Sequence, residues 1–493
     1  MLKKRRIGLL VLAAALAMAL TALAGPDAPE KDILEETWES VLMAGTRIGY
    51  VHTLTREEND PERLFVTSVF HETRLKRIGI DIVISTQIEF IERPDGEIVR
   101  VVSRKLMSGT EKSDTCVPRG DTMHIVTDTA GTVHEREIPW DKSVPGPWAQ
   151  TLRMRGIELK PGVSVEFKAF IPDTLEIANS TVTVGEKARL VVNGEEMELF
   201  TGTLTQDILP GIVTQIWLDD NADVIRSYTD AMGGIETIRT TREEAMKAVV
   251  PSEMADVMRR FSLRSNMELK NPRAIREAVY RIEGEPETLE SLDMSDRRQT
   301  IEKEEPGAIV LRVRALDDAD EPAAERPGGE YLGASPYIQS ADETIVRAAR
   351  QAAGDDTTPR EKAKRLEAWV YKRVRKKDYK TGFASAKEVL ASREGDCTEH
   401  SVLLAAMLRA EGIPARVAVG LVYWKGIFGY HMWTEAFLND WTALDATLGG
   451  ERVDATHIKF AADPLNTPAA ARPFVSLVPA VGKIRLTILE ASE

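Results

Sequence analysis

Hydrophobic and polar positions change rhythm twice along this chain. From about Thr37 to Glu243, apolar side chains alternate with polar ones or cluster with β-branched ones. "RLFVTSVFHETRL", "DIVISTQIEFIER", "EIVRVVSRKLM" and "SVEFKAFI" are examples. A period of two marks a strand with one buried face. Turn signals such as Pro94-Asp95-Gly96 and Asn193-Gly194 separate the runs. The expected element is a large antiparallel sheet with one face covered. Near Pro251 the pattern changes. "SEMADVMRRFSL" has helical spacing, while "AIREAVYRIEG" and "AIVLRVRAL" read as strands of a small second unit. The acidic, Pro/Gly-rich stretch "DDADEPAAERPGGE" follows as a connector, placing a boundary near residue 325. Beyond it, 344–353 and 361–376 read as helices, the second with Leu366, Trp369, Val370 and Val374 on one stripe. Ser385 to Ser392 reads as a short helix.

The next stretch, "REGDCTEHSVLLAAMLRAEGIPARVAVGL", runs from Arg393 to Leu421. Its pattern predicts a helix from Cys397 to Glu411, with Gly395-Asp396 as turn and N-cap. Gly412 offers a left-handed C-cap and Pro414 stops the helix. "RVAVGLVYW" then reads as a strand, "KGIFG" as a turn, and "YHMWTEAFL" and "WTALDATL" as two more strands. Side-chain alternation puts His431, Trp433, Glu435 and Phe437 on one face. The loop after them decides where Asp445 points. A two-residue turn at Asn439-Asp440 would send Asp445 to the far face. A three-residue loop, Leu438-Asn439-Asp440, pairs Phe437 with Trp441 and leaves Asp445 diagonal to His431, roughly 7 Å away at the backbone. The three-residue loop is the expectation.

Composition narrows the function. The 493 residues suffice for two to four domains. A net charge of -14 and a pI near 5.3 argue against a general nucleic-acid role, which needs clustered positive charge. The basic run from Lys372 to Lys377 reads as a solvated helix face. The N-terminus reads as an address: Lys3, Lys4, Arg5 and Arg6 precede an uncharged apolar stretch from Ile7 to Ala24. Ala22-Leu23-Ala24 fits a signal-peptidase site. Left uncleaved, that segment would be the one membrane contact. The chain is therefore expected outside the cytoplasm, periplasmic or extracellular. It has two cysteines. Cys116 lies in the polar, turn-like "KSDTCVPRG", and two free thiols are favoured over a bridge, which would consume Cys397.

A thiol at a helix N-terminus meets the positive end of the macrodipole and unpaired amides, which favour the thiolate and can cradle an oxyanion. With His431 as base and Asp445 as its orienter, Cys397 completes a nucleophilic triad. "GDCTEHSVLLAAMLRAEGIPARVAVGL" and "YHMWTEAFLNDWTALDAT" resemble the transglutaminase-like cysteine superfamily, over about residues 335 to 460. In that family a cysteine opens a helix ending in G-I-P-A-R, a histidine follows in an H-x-W-x-E-like strand, and an aspartate in a W-x-x-L-D-x-T strand. Those positions are Cys397, His431 and Asp445. The resemblance implies a papain-like α+β core performing acyl transfer at an amide carbonyl, through a thioester, on a protein or peptide.

The expected organisation is a signal peptide at 1–24, a β-rich antiparallel sheet domain at 27–245, a small α/β connector unit at 252–325 and a transglutaminase-like catalytic domain at 326–493. No cofactor and no metal are expected. His400 shares a helix face with Cys397 but lacks an orienting acid, so local packing is its reading. His457 reads as structural, with lining of the cleft as the alternative. Trp433 reads as core that also floors a substrate channel, and Trp369 and Tyr379 are candidates to assist the oxyanion. Two rival functions remain: a fold of this kind used for binding or as an envelope scaffold, and a β-domain adaptor that the core modulates.

Overall fold

The structure is a computed structural model describing residues 32–493, apart from 60, 78–79, 108–109, 130, 210, 232, 250–260, 317–324, 356, 376–383, 451, 467–476 and 478–479. The expected signal segment, most of the 252–263 helix, part of the acidic connector and Tyr379 lie outside the described residues. No helix among the described residues is long and apolar enough to cross a membrane.

About a third of the described residues belong to one fourteen-stranded antiparallel sheet. Its first strands are β1 (Ile33–Met43), β2 (Thr46–Glu58), β3 (Leu64–Arg77), β4 (Ile80–Glu92), β5 (Ile98–Met107), β6 (Thr110–Arg119), β7 (Thr122–Thr129) and β8 (Thr132–Pro139). Helix α1 (Pro147–Arg155) follows. Then come β9 (Ser164–Ile171), β10 (Glu176–Val192), β11 (Glu195–Gln206), β12 (Val213–Leu218), β13 (Val224–Thr229) and β14 (Ile235–Thr240). Neighbours in sequence pair except β8 and β9, which form the two edges, and β1 pairs with β14, so the sheet order is β8 back to β1 and then β14 back to β9. Alternation sets the faces: Met123, Ile125, Thr127 and Thr129 of β7 point inward while the residues between them do not. Asn193-Gly194 makes the tight β10–β11 turn, both residues at positive φ.

Helix α1 is pinned at its start by a carboxylate from the sheet. Glu92, fully buried, accepts the amides of Trp148 (3.1 Å) and Ala149 (2.8 Å). Burial pushes its carboxyl up to about 7, against the pull of those two amides. Gly146 lets the two meet, because a Cβ there would lie 1.9 Å from Glu92 Oε2. Gly146→Ala should therefore destabilise the β-rich region by about 2–3 kcal/mol, the range for overpacking plus a disturbed cap. Thermal unfolding checks this, and an unchanged midpoint would show that the cap adjusts freely.

After the short β15 (Leu263–Arg264), β16 (Glu277–Glu283), β17 (Gln299–Glu305) and β18 (Ala308–Arg314) form a four-stranded sheet with the last strand of the chain, β23 (Arg485–Ser492), in the order β17-β18-β16-β23. Four helices follow: α2 (Glu343–Ala353), α3 (Pro359–Arg373), α4 (Ala386–Ser392) and α5 (Cys397–Ala410). The last strands are β19 (Ala415–Trp424), β20 (Ile427–Phe437), β21 (Trp441–Leu444), β22 (Ile458–Asp463) and β23 (Arg485–Ser492). The central sheet runs β15-β20-β19-β22, with β21 on β20. The C-terminal strand β23 closes the sheet begun by β16, and one apolar cluster runs from Tyr280 and Leu311 through α5 to Phe460. Two details differ from the sequence reading. The turn after β19 is only Lys425-Gly426, both at positive φ, so Ile427 already belongs to the strand. Cys116 is a buried residue of β6 rather than part of a turn, since Val101 opposite it completes an apolar face.

Candidate active site

Helix α5 carries the thiol on its first residue. Its N-cap is Asp396, which accepts the Thr398 amide (2.9 Å) and also receives the Glu399 amide in a capping box. Glu399 returns the bond by accepting the Asp396 amide (2.9 Å) and also takes that of Ala384 (3.0 Å). Burial, reinforced by the Asp396 charge, pushes the Glu399 carboxyl up to about 8. Gly395 is required by the box: its φ is +148°, and a Cβ there would lie 2.2 Å from Glu399 Cβ. The cap thus uses two of the amides expected to serve an oxyanion. Among the described residues, no partner takes the amide of Cys397 itself.

The body of α5 is buried from Thr398 to Arg409. Arg409 fixes its far end by donating to the Ala415 carbonyl (2.9 and 3.1 Å) and the Gly333 carbonyl (2.7 Å). Two hydroxyls secure the near end, one within the helix and one from β20. Ser401 Oγ donates to the Cys397 carbonyl (2.7 Å), and Thr434 Oγ1 donates to the Ser401 carbonyl (3.1 Å). The second bond fixes the cysteine helix against the histidine strand.

The β20–β21 register is the three-residue-loop register: Phe437 faces Trp441 and Thr434 faces Leu444. Asp445 follows directly, and its Oδ2 accepts from His431 Nε2 at 2.9 Å. His431 and Asp445 are both buried, while Cys397 is half-buried. The Cys397 side chain is close enough to act on the His431 charge, although no hydrogen bond joins the two among the described residues. Since Nε2 is committed to Asp445, Nδ1 is the nitrogen left to face the sulfur. Burial opposes a charge on His431, but Asp445 and Cys397 outweigh it and lift the imidazole to about 9. Asp445 is held well below the usual carboxylate range, its burial outweighed by His431 and His457. Trp433 is fully buried and stacks on His431, centroids 6.1 Å apart. It is core, packed with Ala418, Ala443 and Val453, rather than the floor of an open channel.

The carboxylate is held from other sides too. Asp445 Oδ1 accepts the amides of Thr447 (2.8 Å) and Leu448 (3.3 Å), and its own amide donates to Glu367 of α3 (2.7 Å). His457 Nε2 also reaches Asp445 Oδ2, at 3.1 Å. This residue was read as structural or cleft-lining, and its contact with the acid was missed. The signal available was Asp454-Ala455-Thr456-His457, an Asx turn that presents a histidine twelve positions after Asp445. His431, Asp445 and His457 each present an atom within 4.8 Å of the others, a spacing able to hold an ion. An ion there would compete with the bonds that orient His431.

His400 is turned away, its ring nitrogens against the carbonyls of Asp396 and Val374. Trp369 packs on the core under Arg373, 5.4 Å from its guanidinium carbon. Glu435 pairs with Arg416 (2.7 Å) and with buried Lys459 (3.2 Å). Cys116 and Cys397 are both free.

Residues 346–446 match the family model of the transglutaminase-like superfamily. The match includes Cys397, His431 and Asp445 and ends before His457. No curated protein matches the chain. Three solved structures are similar at low identity. One, provisionally called a cysteine protease, from Cytophaga hutchinsonii, shares 17% identity over 44% of this chain and 87% of its own, with a TM-score of 0.30. A β-barrel-like protein of a domain of unknown function from Brucella abortus shares 11% over 42% of this chain and 95% of its own, at 0.32. A provisionally named protease from Parabacteroides distasonis shares 13% over 73% of this chain and 69% of its own, at 0.19. The chain thus carries, behind a large antiparallel sheet, a transglutaminase-like region at residues 346–446.

Proposed function

We propose that the chain is an exported cysteine acyl-transfer enzyme acting on amide carbonyls of a protein or peptide. One observation carries the reading: a half-buried thiol on the first residue of α5 neighbours an imidazole whose other nitrogen is fixed to a buried carboxylate at 2.9 Å. With His431 lifted to about 9, its Nδ1 would already hold the thiol's proton at neutral pH, and Cys397 Sγ would attack the carbonyl carbon beside that imidazolium. The Cys397 amide at the helix start is the donor placed to receive the developing oxyanion. Collapse would break the C–N bond, with His431 handing its proton to the departing ammonia or amine. Water or a second amine, deprotonated by His431, would then release the acyl group from the thioester. Export rests on the charged and apolar pattern of residues 3–24.

The test is direct capture of the intermediate. The full chain is incubated with a mixture of glutamine-bearing and other peptides, quenched in acid, and its Cys397 peptide is weighed by mass spectrometry. An acyl adduct on Cys397 that disappears on adding hydroxylamine supports the reading. A persistent absence of adduct, together with unaltered peptides, would favour a binding role.

A further inference from the structure

A nucleophilic triad needs its carboxylate to serve one histidine. Here Asp445 serves two through a single oxygen, with His431 Nε2 at 2.9 Å and His457 Nε2 at 3.1 Å on Oδ2. Beyond His457 the charges continue to alternate. His457 Nδ1 lies 3.3 Å from Asp454 Oδ2, and Arg273 Nη1 lies 2.8 Å from the same oxygen. The line therefore runs imidazole, carboxylate, imidazole, carboxylate, guanidinium, from the thiol outward.

The turn that presents His457 is built into the small sheet. Ala455 donates its amide to the Ile275 carbonyl (2.9 Å), and Tyr280 of β16 donates its hydroxyl to the Ala455 carbonyl (2.9 Å). Gly420, opposite His431 in the β19–β20 ladder, admits β22: a Cβ there would lie 1.9 Å from the Ile458 carbonyl oxygen. A side chain at 420 would push β22, and His457 with it, away from the acid.

We propose that His457 is a positioning residue for His431: its Nε2–H holds the shared Asp445 oxygen, and its positive charge when protonated limits how tightly that carboxylate retains the His431 proton. This rests on the thiol chemistry proposed above. Without the second histidine, Asp445 would bind the imidazolium more strongly, and His431 would give up its proton to a leaving amine less readily. The charged and titratable groups around His457 are Asp445 after β21, His431 on β20, Asp454 in its own turn, and Arg273, Tyr280 and Arg298 behind Asp454. Cys397 on α5 and Glu367 on α3 face the far side of the same cluster. Burial works against a charge on His457, yet Asp454 and Asp445 raise its affinity for the proton.

The experiment needs no substrate. Iodoacetamide modification of Cys397 is followed by peptide mass spectrometry in the full chain, from about pH 5 to about pH 10, where imidazole and thiol titrate. In the wild type the rate should rise in two steps, the upper one marking loss of the His431 proton near pH 9. His457→Gln keeps an N–H toward Asp445 but no charge, and should move the upper step up by about one pH unit. His457→Phe loses both and should also cut the rate below that step by about tenfold, because Asp445 Oδ2 loses its second donor. A folded His457→Gln protein whose upper step stays in place would overturn the proposal. If that variant does not fold, Asp454→Asn replaces it: removing the carboxylate behind His457 should shift the step in the same direction, and an unmoved step overturns the proposal equally. A wild-type profile with one step, matching that of the unfolded chain, would instead reject the thiol–imidazole reading itself.

Discussion

His431→Ala is expected to lower thioester formation on Cys397 by about 10²–10⁴, the usual contribution of a positioned general base. The fold should survive, because the hydrogen bond of the ring goes to Asp445 and not to the sheet. Cys397→Ala should remove the adduct entirely, and the double variant should be no worse than Cys397→Ala alone, since the two groups act in one step. Peptide mass spectrometry of the quenched chain gives both numbers. Full adduct formation in His431→Ala would show that another group takes the thiol proton. His400 is badly placed for this, with both nitrogens turned to backbone carbonyls.

Asp445→Asn is expected to cost less than loss of the thiol, about 10²–10⁴ in rate, because it disturbs the orientation and charge of His431 without removing the nucleophile. The same change should leave a signature in stability. His431 is raised from an unfolded value of about 6.5 to about 9. A histidine of this kind contributes stability that is fully present below about pH 6.5 and lost as pH rises through its folded value near 9. Asp445 is shifted the other way, so its contribution is present above about pH 4 and lost as pH falls through its folded value. Wild-type thermal midpoints should therefore decline between about pH 6.5 and 9, and that decline should flatten in Asp445→Asn. Parallel curves for the two proteins would mean that the 2.9 Å bond is not an ionic pairing.

The cysteine helix and the β20–β21 register were legible in sequence for local reasons. Asp396, Gly412 and Pro414 fix the helix ends, and the alternation around His431 leaves only the choice of loop length open. The transglutaminase-like resemblance read from these motifs agrees with the family match at 346–446. His457 was not legible in this way. Its place depends on β22 pairing with β19 across a bulge beside Gly420, and on a turn anchored to Ile275 and Tyr280, contacts remote in sequence. The pairing of β1 with β14, and of β23 with β16, escaped for the same reason: alternation tells which face is buried but not which strand lies alongside. Cys116 misled because its neighbours Thr115 and Val117 lie on the other face of β6, and because the polar Asp114 beside it is buried on the same face as the thiol.

The central claim is that Cys397, alone of the two thiols, is activated by its neighbours. Cys116 is the internal control: it is 1% exposed, and burial pushes its thiol up to about 12. The direct measurement is the ratio of iodoacetamide modification rates at the two cysteines in the folded chain at neutral pH. A ratio above about 10² that collapses in His431→Ala is the expected result. Slow modification at both positions, unchanged by that substitution, would contradict it.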